Sequence, residues 1–233
     1  MSAIVARLLG VWTGLAIELQ RFELLWRYQH PVTPYALWWR LAIKRLADAL
    51  GAAIGLLVAA PLMLLIAAAI KWTSRGPALY AQERVGRFGE IFRMYKFRTM
   101  MVDAEAEGPI WAGGEDDPRL TRLGRVLRRT HLDELPQLMN VLQGGMSLVG
   151  PRPERPYFVR ELRETVSNYE ARLLVRPGMT GLAQVHYRYD QTVADVRRKV
   201  RFDLLYIRRL CITLDLRIMA WTAMVVVTGR GIR

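Results

Sequence analysis

Residues 49–70 read A-L-G-A-A-I-G-L-L-V-A-A-P-L-M-L-L-I-A-A-A-I, an uncharged apolar run with Pro61 near its middle. As a straight helix it would be roughly 33 Å long, enough to cross a bilayer. Its length and lack of charge argue against the core helix of a water-soluble domain. Arg40, Lys44 and Arg45 precede the run and Lys71 and Arg75 follow it, with Trp38, Trp39 and Trp72 available to mark an interface at both ends. Basic flanks favour the cytoplasmic side, and here both flanks are basic. A straight spanning helix therefore competes with a re-entrant one. In the re-entrant form, Pro61 kinks the helix so that each half, roughly 15–18 Å long, enters and leaves by the same face. Asp48 lies too close to the run to be unpaired, and Lys44 or Arg45 is its expected partner.

Downstream, residues 130–153 read T-H-L-D-E-L-P-Q-L-M-N-V-L-Q-G-G-M-S-L-V-G-P-R-P. Two adjacent carboxylates, Asp133 and Glu134, stand between a basic lead-in (Arg125, Arg128, Arg129) and the turn Pro151-Arg152-Pro153. Acids among arginines suit a site that handles phosphate. Helical spacing places Leu135, Leu138, Met139 and Leu142 on one face of a helix over 134–142, with Gly144 and Gly145 ending it. A capping box from Thr130 to Asp133 would leave Pro136 well inside the helix. Asp133 as N-cap instead puts Pro136 in the first turn, where its missing N–H is harmless. On spacing alone, Asp133 reads as a cap and Glu134 as a favourable first-turn charge. The same geometry would keep a carboxylate ionised by backbone donors and available as a nucleophile, beside a neighbour able to bind Mg²⁺. Adjacent acids in one turn do not flank a bond from two sides, which argues against a glycosidase.

The stretch L-D-E-L-P-Q-L-M-N-V-L-Q-G-G-M-S-L-V-G-P-R-P resembles the signature of the bacterial sugar transferases, the monotopic polyprenyl-phosphate phosphoglycosyl transferases. The resemblance continues in K-R-L-A-D at 44–48, Gln82-x-Arg84-x-Gly86-x-x-Gly89, K-F-R-T-M at 96–100, D-P-R-L-T at 117–121 and R-P-G-M-T-G at 176–181, covering roughly residues 43–233. It implies a membrane helix broken into a hairpin at Pro61 and a cytoplasmic catalytic domain on the bacterial inner membrane. It also implies transfer of a sugar 1-phosphate from a UDP-sugar to polyprenyl (undecaprenyl) phosphate, with release of UMP, at the start of surface glycan synthesis. By resemblance Asp133 is the nucleophile and Glu134 the Mg²⁺ ligand. Lys96, Arg98, Arg128 and Arg152, with Pro151 and Pro153, would line the phosphate site, where arginine forks match phosphate oxygens. Two positions depart from the family pattern. Gly145 stands where an acid is common before M-S-L, and Ala60 stands where serine often precedes the proline. Gly145 is the one feature favouring a runner-up, a catalytically silent relative acting as a membrane scaffold or regulator.

A net charge of +13 over 233 residues fits anionic lipid, phosphate-rich substrates or nucleic acid. The aromatic-plus-basic signatures of an RNA-binding sheet are not visible, so no nucleic-acid partner is expected. A homodimer is compatible with the sequence. One cysteine, Cys211, excludes an internal disulfide, and His30, His131 and His186 lack metal-ligand spacing.

The expected fold is mostly α with a small β element: a monotopic membrane protein with a Pro-broken re-entrant helix and amphipathic interfacial helices around a catalytic domain. Residues 1–42 form an N-terminal interfacial or packing segment, since Leu8–Ile17 is too short to span and no cleavage pattern follows it. Residues 43–72 form the membrane helix, 73–200 the catalytic domain and 201–233 C-terminal membrane-associated helices. Leu79–Phe97 alternates around Gly86 and Gly89 as a hairpin should. Residues 103–117 read as a mobile loop, and 192–228 as amphipathic helices on the membrane or packed in the core.

Overall fold

A computed structural model describes residues 34–102, 104, 117–187 and 192–228; the expected N-terminal segment and almost all of the 103–117 loop lie outside these. The described chain is mostly helical, with two small two-stranded sheets.

Helix α1, Pro34–Thr73, is helical on both sides of Pro61 and at Pro61 itself. Proline forgoes one backbone hydrogen bond and crowds the preceding turn. The leucines and alanines around Pro61 favour helix strongly, and the helix persists on both sides. At 1.5 Å per residue it is about 60 Å long, roughly twice a bilayer's hydrocarbon core. Only 11% of its most apolar 18-residue stretch is buried, which rules out a core helix.

One flank of α1 packs on the rest of the protein at two places. Ala52 meets Met94, Leu138, Val141 and Met146, and further along Ile66 and Ile70 meet Phe97 and Leu127. The other flank exposes Leu57 (78%), Val58, Leu64 and Leu65. Near its start the helix is fixed by buried polar contacts. Lys44 Nζ lies 2.7 Å from Asp215 and 3.6 Å from Asp48, the pairing expected for Asp48. Asp48 also accepts from Ser147 Oγ at 2.7 Å and from Leu148 N at 3.1 Å. Arg45 donates instead to the carbonyls of Val141 and Leu142, favourable at the C-terminal end of the helix that carries them.

Strands β1, Leu79–Val85, and β2, Ile91–Phe97, form the expected hairpin, with Tyr80 opposite Lys96. Helix α2, Arg122–Arg129, is capped by Thr121, whose hydroxyl accepts from Gly124 N at 2.9 Å. A Cβ on Gly124 would lie 1.9 Å from the Thr99 carbonyl oxygen, so this close approach of α2 to the K-F-R-T-M segment requires glycine. Helix α3, Gln137–Gln143, ends at Gly144 with φ 90°, as the sequence indicated. Its buried face is Gln137, Leu138, Asn140 and Val141, whereas Leu142, expected on the apolar face, is exposed. Asn140 accepts from Tyr95 N and donates to Arg93 O, so its amide completes the outer edge of β2 and locks α3 against it.

Strands β3, Ser147–Val149, and β4, Gly178–Thr180, pair in parallel. Helices α4, Pro156–Thr165, and α5, Leu182–His186, flank this part of the fold. Helix α6, Val193–Arg208, buries Val196, Val200, Tyr206 and Ile207 in the core, so it packs as a core helix rather than lying free on a membrane. Helix α7, Ile212–Thr228, buries Ile218 but exposes Leu216, Met219, Met224 and Val226. Two expected domain boundaries, 42/43 and 200/201, fall inside α1 and α6.

Candidate active site

Asp133 and Glu134 sit in a 3₁₀ turn, Leu132–Glu134, that follows His131 in the left-handed region (φ 56°). Asp133 is therefore not a helix N-cap. Pro136 takes the N-cap position of α3, and the intervening bonds are short-range, as in Glu134 N to His131 O at 3.2 Å and Leu138 N to Leu135 O at 3.1 Å. A proline without an N–H fits where the chain changes from 3₁₀ to α. The alternative capping box is also absent, because the Thr130 hydroxyl donates back to Val126 O at 2.9 Å.

This turn brings the acids beneath β2 and the Pro151-Arg152-Pro153 turn. Lys96 Nζ donates to Glu134 Oε1 at 2.9 Å, and Arg152 Nη2 donates to the same oxygen at 2.7 Å. Burial works against charge on Glu134, but Arg152 and Lys96 overcome it and hold the carboxyl well below the usual range. Asp133 behaves oppositely. Only 5% exposed, it is pushed up by burial and by Glu134, while Lys96, Arg128 and Arg152 pull the other way. The surrounding cations, rather than the expected backbone donors, oppose its protonation. Burial also lowers Lys96, with Glu134 as the main counterweight.

Arg128, on α2, donates Nε to Thr99 Oγ1 at 3.1 Å and faces the same cavity. Arg98 borders that cavity too, but its Nη2 is bonded to Ser74 O (3.0 Å) and Ser74 Oγ (2.7 Å), tying β2 to the end of α1. Pro151 and Pro153 frame Arg152 through their carbonyls: the first accepts from Gly178 N at 2.9 Å, the second from Arg84 Nη1 at 3.0 Å. A Cβ on Gly178 would lie 2.1 Å from Gly150 N, so glycine is what lets β4 support this turn so closely.

Sequence reasoning missed the support behind Arg152. Arg172 donates Nη2 to the Arg152 carbonyl at 3.0 Å and Nη1 to Tyr169 Oη at 2.9 Å, and pairs with Asp203 at 2.8 Å. Asp203 is pushed up to about 6 by burial, against the pull of Arg172. A lone aspartate within the apolar stretch F-D-L-L-Y-I of α6 was the available signal.

Lys96, Arg98, Arg128, Asp133, Glu134, Arg152, Arg172 and Asp203 border one cavity of about 1010 Å³, whereas Pro151 and Pro153 do not line it. Its lining also includes apolar side chains, among them Leu148, Met179, Met219, Ala223 and Val226. Among the described residues there is no cluster of three or more His, Cys, Asp or Glu side chains suited to a metal. Asp133 and Glu134 are adjacent carboxylates at the cavity that could contribute to one. That fits Mg²⁺, which is commonly held by one or two carboxylates together with substrate phosphates and water.

An apolar helix facing outward beside a cation-lined cavity is an arrangement suited to a membrane-associated protein. The chain belongs to the bacterial sugar transferase family, whose model matches residues 39–229. It is 43% identical over 191 residues to a UDP-N-acetylgalactosamine-undecaprenyl-phosphate N-acetylgalactosaminephosphotransferase of Aeromonas hydrophila (82% of this chain, 45% of the relative). It is 40% identical over 184 residues to a UDP-glucose:undecaprenyl-phosphate glucose-1-phosphate transferase of Klebsiella pneumoniae (78% and 39%). A third relative, the exopolysaccharide production protein PSS of Rhizobium leguminosarum bv. phaseoli, is 40% identical over 197 residues (82% and 98%). The chain thus spans less than half of the first two relatives and nearly all of the third.

Proposed function

We propose that this protein transfers a sugar 1-phosphate from a UDP-sugar to undecaprenyl phosphate through a phosphosugar carried on Asp133. The observation that carries this reading is the buried Asp133 carboxylate beside Glu134, Lys96 and Arg152 in a cavity that also has an apolar wall. An Asp133 oxygen attacks the sugar-proximal phosphorus; the bond from that phosphorus to the bridging oxygen breaks, and UMP leaves. A phosphate oxygen of the acceptor then attacks the same phosphorus, freeing the carboxylate and giving a polyprenyl diphosphate sugar. Arg152, Arg128 and Lys96 hold phosphate oxygens and offset charge developing on them. Mg²⁺, held by Glu134 with Asp133, would neutralise diphosphate charge when bound.

One flank of α1, packed on the same globular part near Ala52 and again near Ile66 and Ile70, supports a re-entrant arrangement, since both ends of α1 then belong on the side of that part. The basic residues at both ends support the cytoplasmic face. Nothing about Gly145 favours a silent scaffold: a Cβ there would simply meet the Phe92 ring at 3.3 Å.

The test is UMP release from a panel of UDP-sugars by purified protein with Mg²⁺ and undecaprenyl phosphate. Release with one sugar, dependent on lipid and lost in Asp133→Asn, is expected. Absence of UMP with every donor, from folded protein and beside an active relative, would overturn the reading.

A further inference from the structure

The cavity has a second end that nucleotide and phosphate chemistry does not use. Its wall there is Met219, Ala223 and Val226, spaced by four and three residues on one face of α7, together with Met179 and Leu148. Met219 and Val226 remain 40% and 44% exposed. Residues 218–228 contain no charge, and Leu216, one turn earlier on the same face, and Met224, on another side of the helix, are exposed as well. Such a helix belongs in lipid. It is also tied to the charged end: Thr222 Oγ1 lies 2.7 Å from Thr180 Oγ1, Thr180 pairs with Val149, and that strand leads directly into Pro151-Arg152. At about 1010 Å³ the cavity is at the upper limit for one small ligand.

We propose that this apolar wall of α7 seats the isoprenoid chain of the lipid acceptor, with the acceptor's phosphate directed toward Arg128 and Arg152; the assignment rests on the transfer reading above. A water-soluble UDP-sugar has no use for Met219, Ala223 and Val226. An amphiphile with an anionic phosphate head and a long apolar tail matches both ends of the void at once, and continuity with lipid along α7 gives it a route in.

The experiment is photolabelling of the full chain in nanodiscs with a diazirine-bearing polyprenyl phosphate, read by peptide mass. Labelling within residues 212–228 is expected, competed by undecaprenyl phosphate and not by phosphatidic acid. Ala223→Trp should raise the ratio of KM for undecaprenyl phosphate to KM for a two-isoprene phosphate by roughly ten-fold. Val226→Phe serves the same purpose if Ala223→Trp does not fold. Labelling confined to other segments, equal competition by phosphatidic acid, or an unchanged KM ratio in a folded variant would overturn the proposal. So would crosslinking of α7 to residues 1–33 of the chain itself in place of the probe. Competed labelling of α7 in a protein that releases no UMP would sink the transfer reading while leaving the groove as a polyprenyl-phosphate site.

Discussion

Arg152 and Glu134 are joined by a 2.7 Å hydrogen bond from Nη2 to Oε1, and Lys96 shares that oxygen at 2.9 Å. The pair is mutually reinforcing: Glu134 raises Arg152 above its already high ordinary value, and Arg152 with Lys96 keeps Glu134 ionised. One carboxylate thus orients two cations toward the cavity while its neighbour, Asp133, has the opposite tendency. Their surroundings thus give the two adjacent acids opposite protonation tendencies.

Glu134→Gln should lower turnover by about 10²–10³-fold, because an amide orients Lys96 and Arg152 less firmly and binds a hard cation poorly. The magnesium titration of UMP release should shift to higher concentration. An unchanged titration would place the metal on other groups.

The pH profile carries a signed expectation. In the proposed mechanism Asp133 attacks as an anion, and its pKa is raised, so kcat/KM should fall as pH drops through a value above the ordinary 3.8. Lys96 is the largest charge opposing that rise. Lys96→Met should therefore move the acid limb to still higher pH, besides slowing the reaction. A limb that stays in place in Lys96→Met would remove Lys96 from the electrostatics of Asp133.

Asp203→Ala leaves Arg172 buried without its anion and loosens the support of the Arg152 carbonyl. A loss of about 3–5 kcal/mol in unfolding free energy is expected for breaking a buried pair from one side. Denaturant unfolding in detergent checks it, and a change below about 1 kcal/mol would mean the pair is not a structural support.

Topology can be read by thiol labelling in a Cys211→Ser background. Cysteines placed at Arg40 and at Lys71 should react with an impermeant reagent from the same side of sealed vesicles. Pro61→Ala should move one of them to the opposite side. Identical accessibility in wild type and Pro61→Ala would show that the proline does not set the path of α1.

Much of this architecture was legible because local rules decided it. Alternation around Gly86 and Gly89 gave the hairpin, Gly144 in the left-handed region ended α3, and the length and uncharged character of 49–70 gave a long, outward-facing apolar helix. A capping rule puts the start of α3 at Asp133, whereas the chain uses a left-handed His131 and a 3₁₀ turn that propensities do not signal. Arg98 lines the cavity, and its bonds to Ser74 are not legible in the sequence because that contact is set by where α1 ends. Arg172 and Asp203 meet across 31 residues, and nothing local to either names the other. Local patterns disclosed the acids; the tertiary fold disclosed what holds their cations in place.

A phosphosugar carried on Asp133 is detectable by intact-protein mass spectrometry after mixing with UDP-sugar and Mg²⁺ without acceptor. The expected result is one added sugar phosphate per chain, located on the peptide containing Asp133, absent from Asp133→Asn and discharged by undecaprenyl phosphate. An adduct on another residue, or turnover proceeding with no adduct under rapid quenching, would contradict the account.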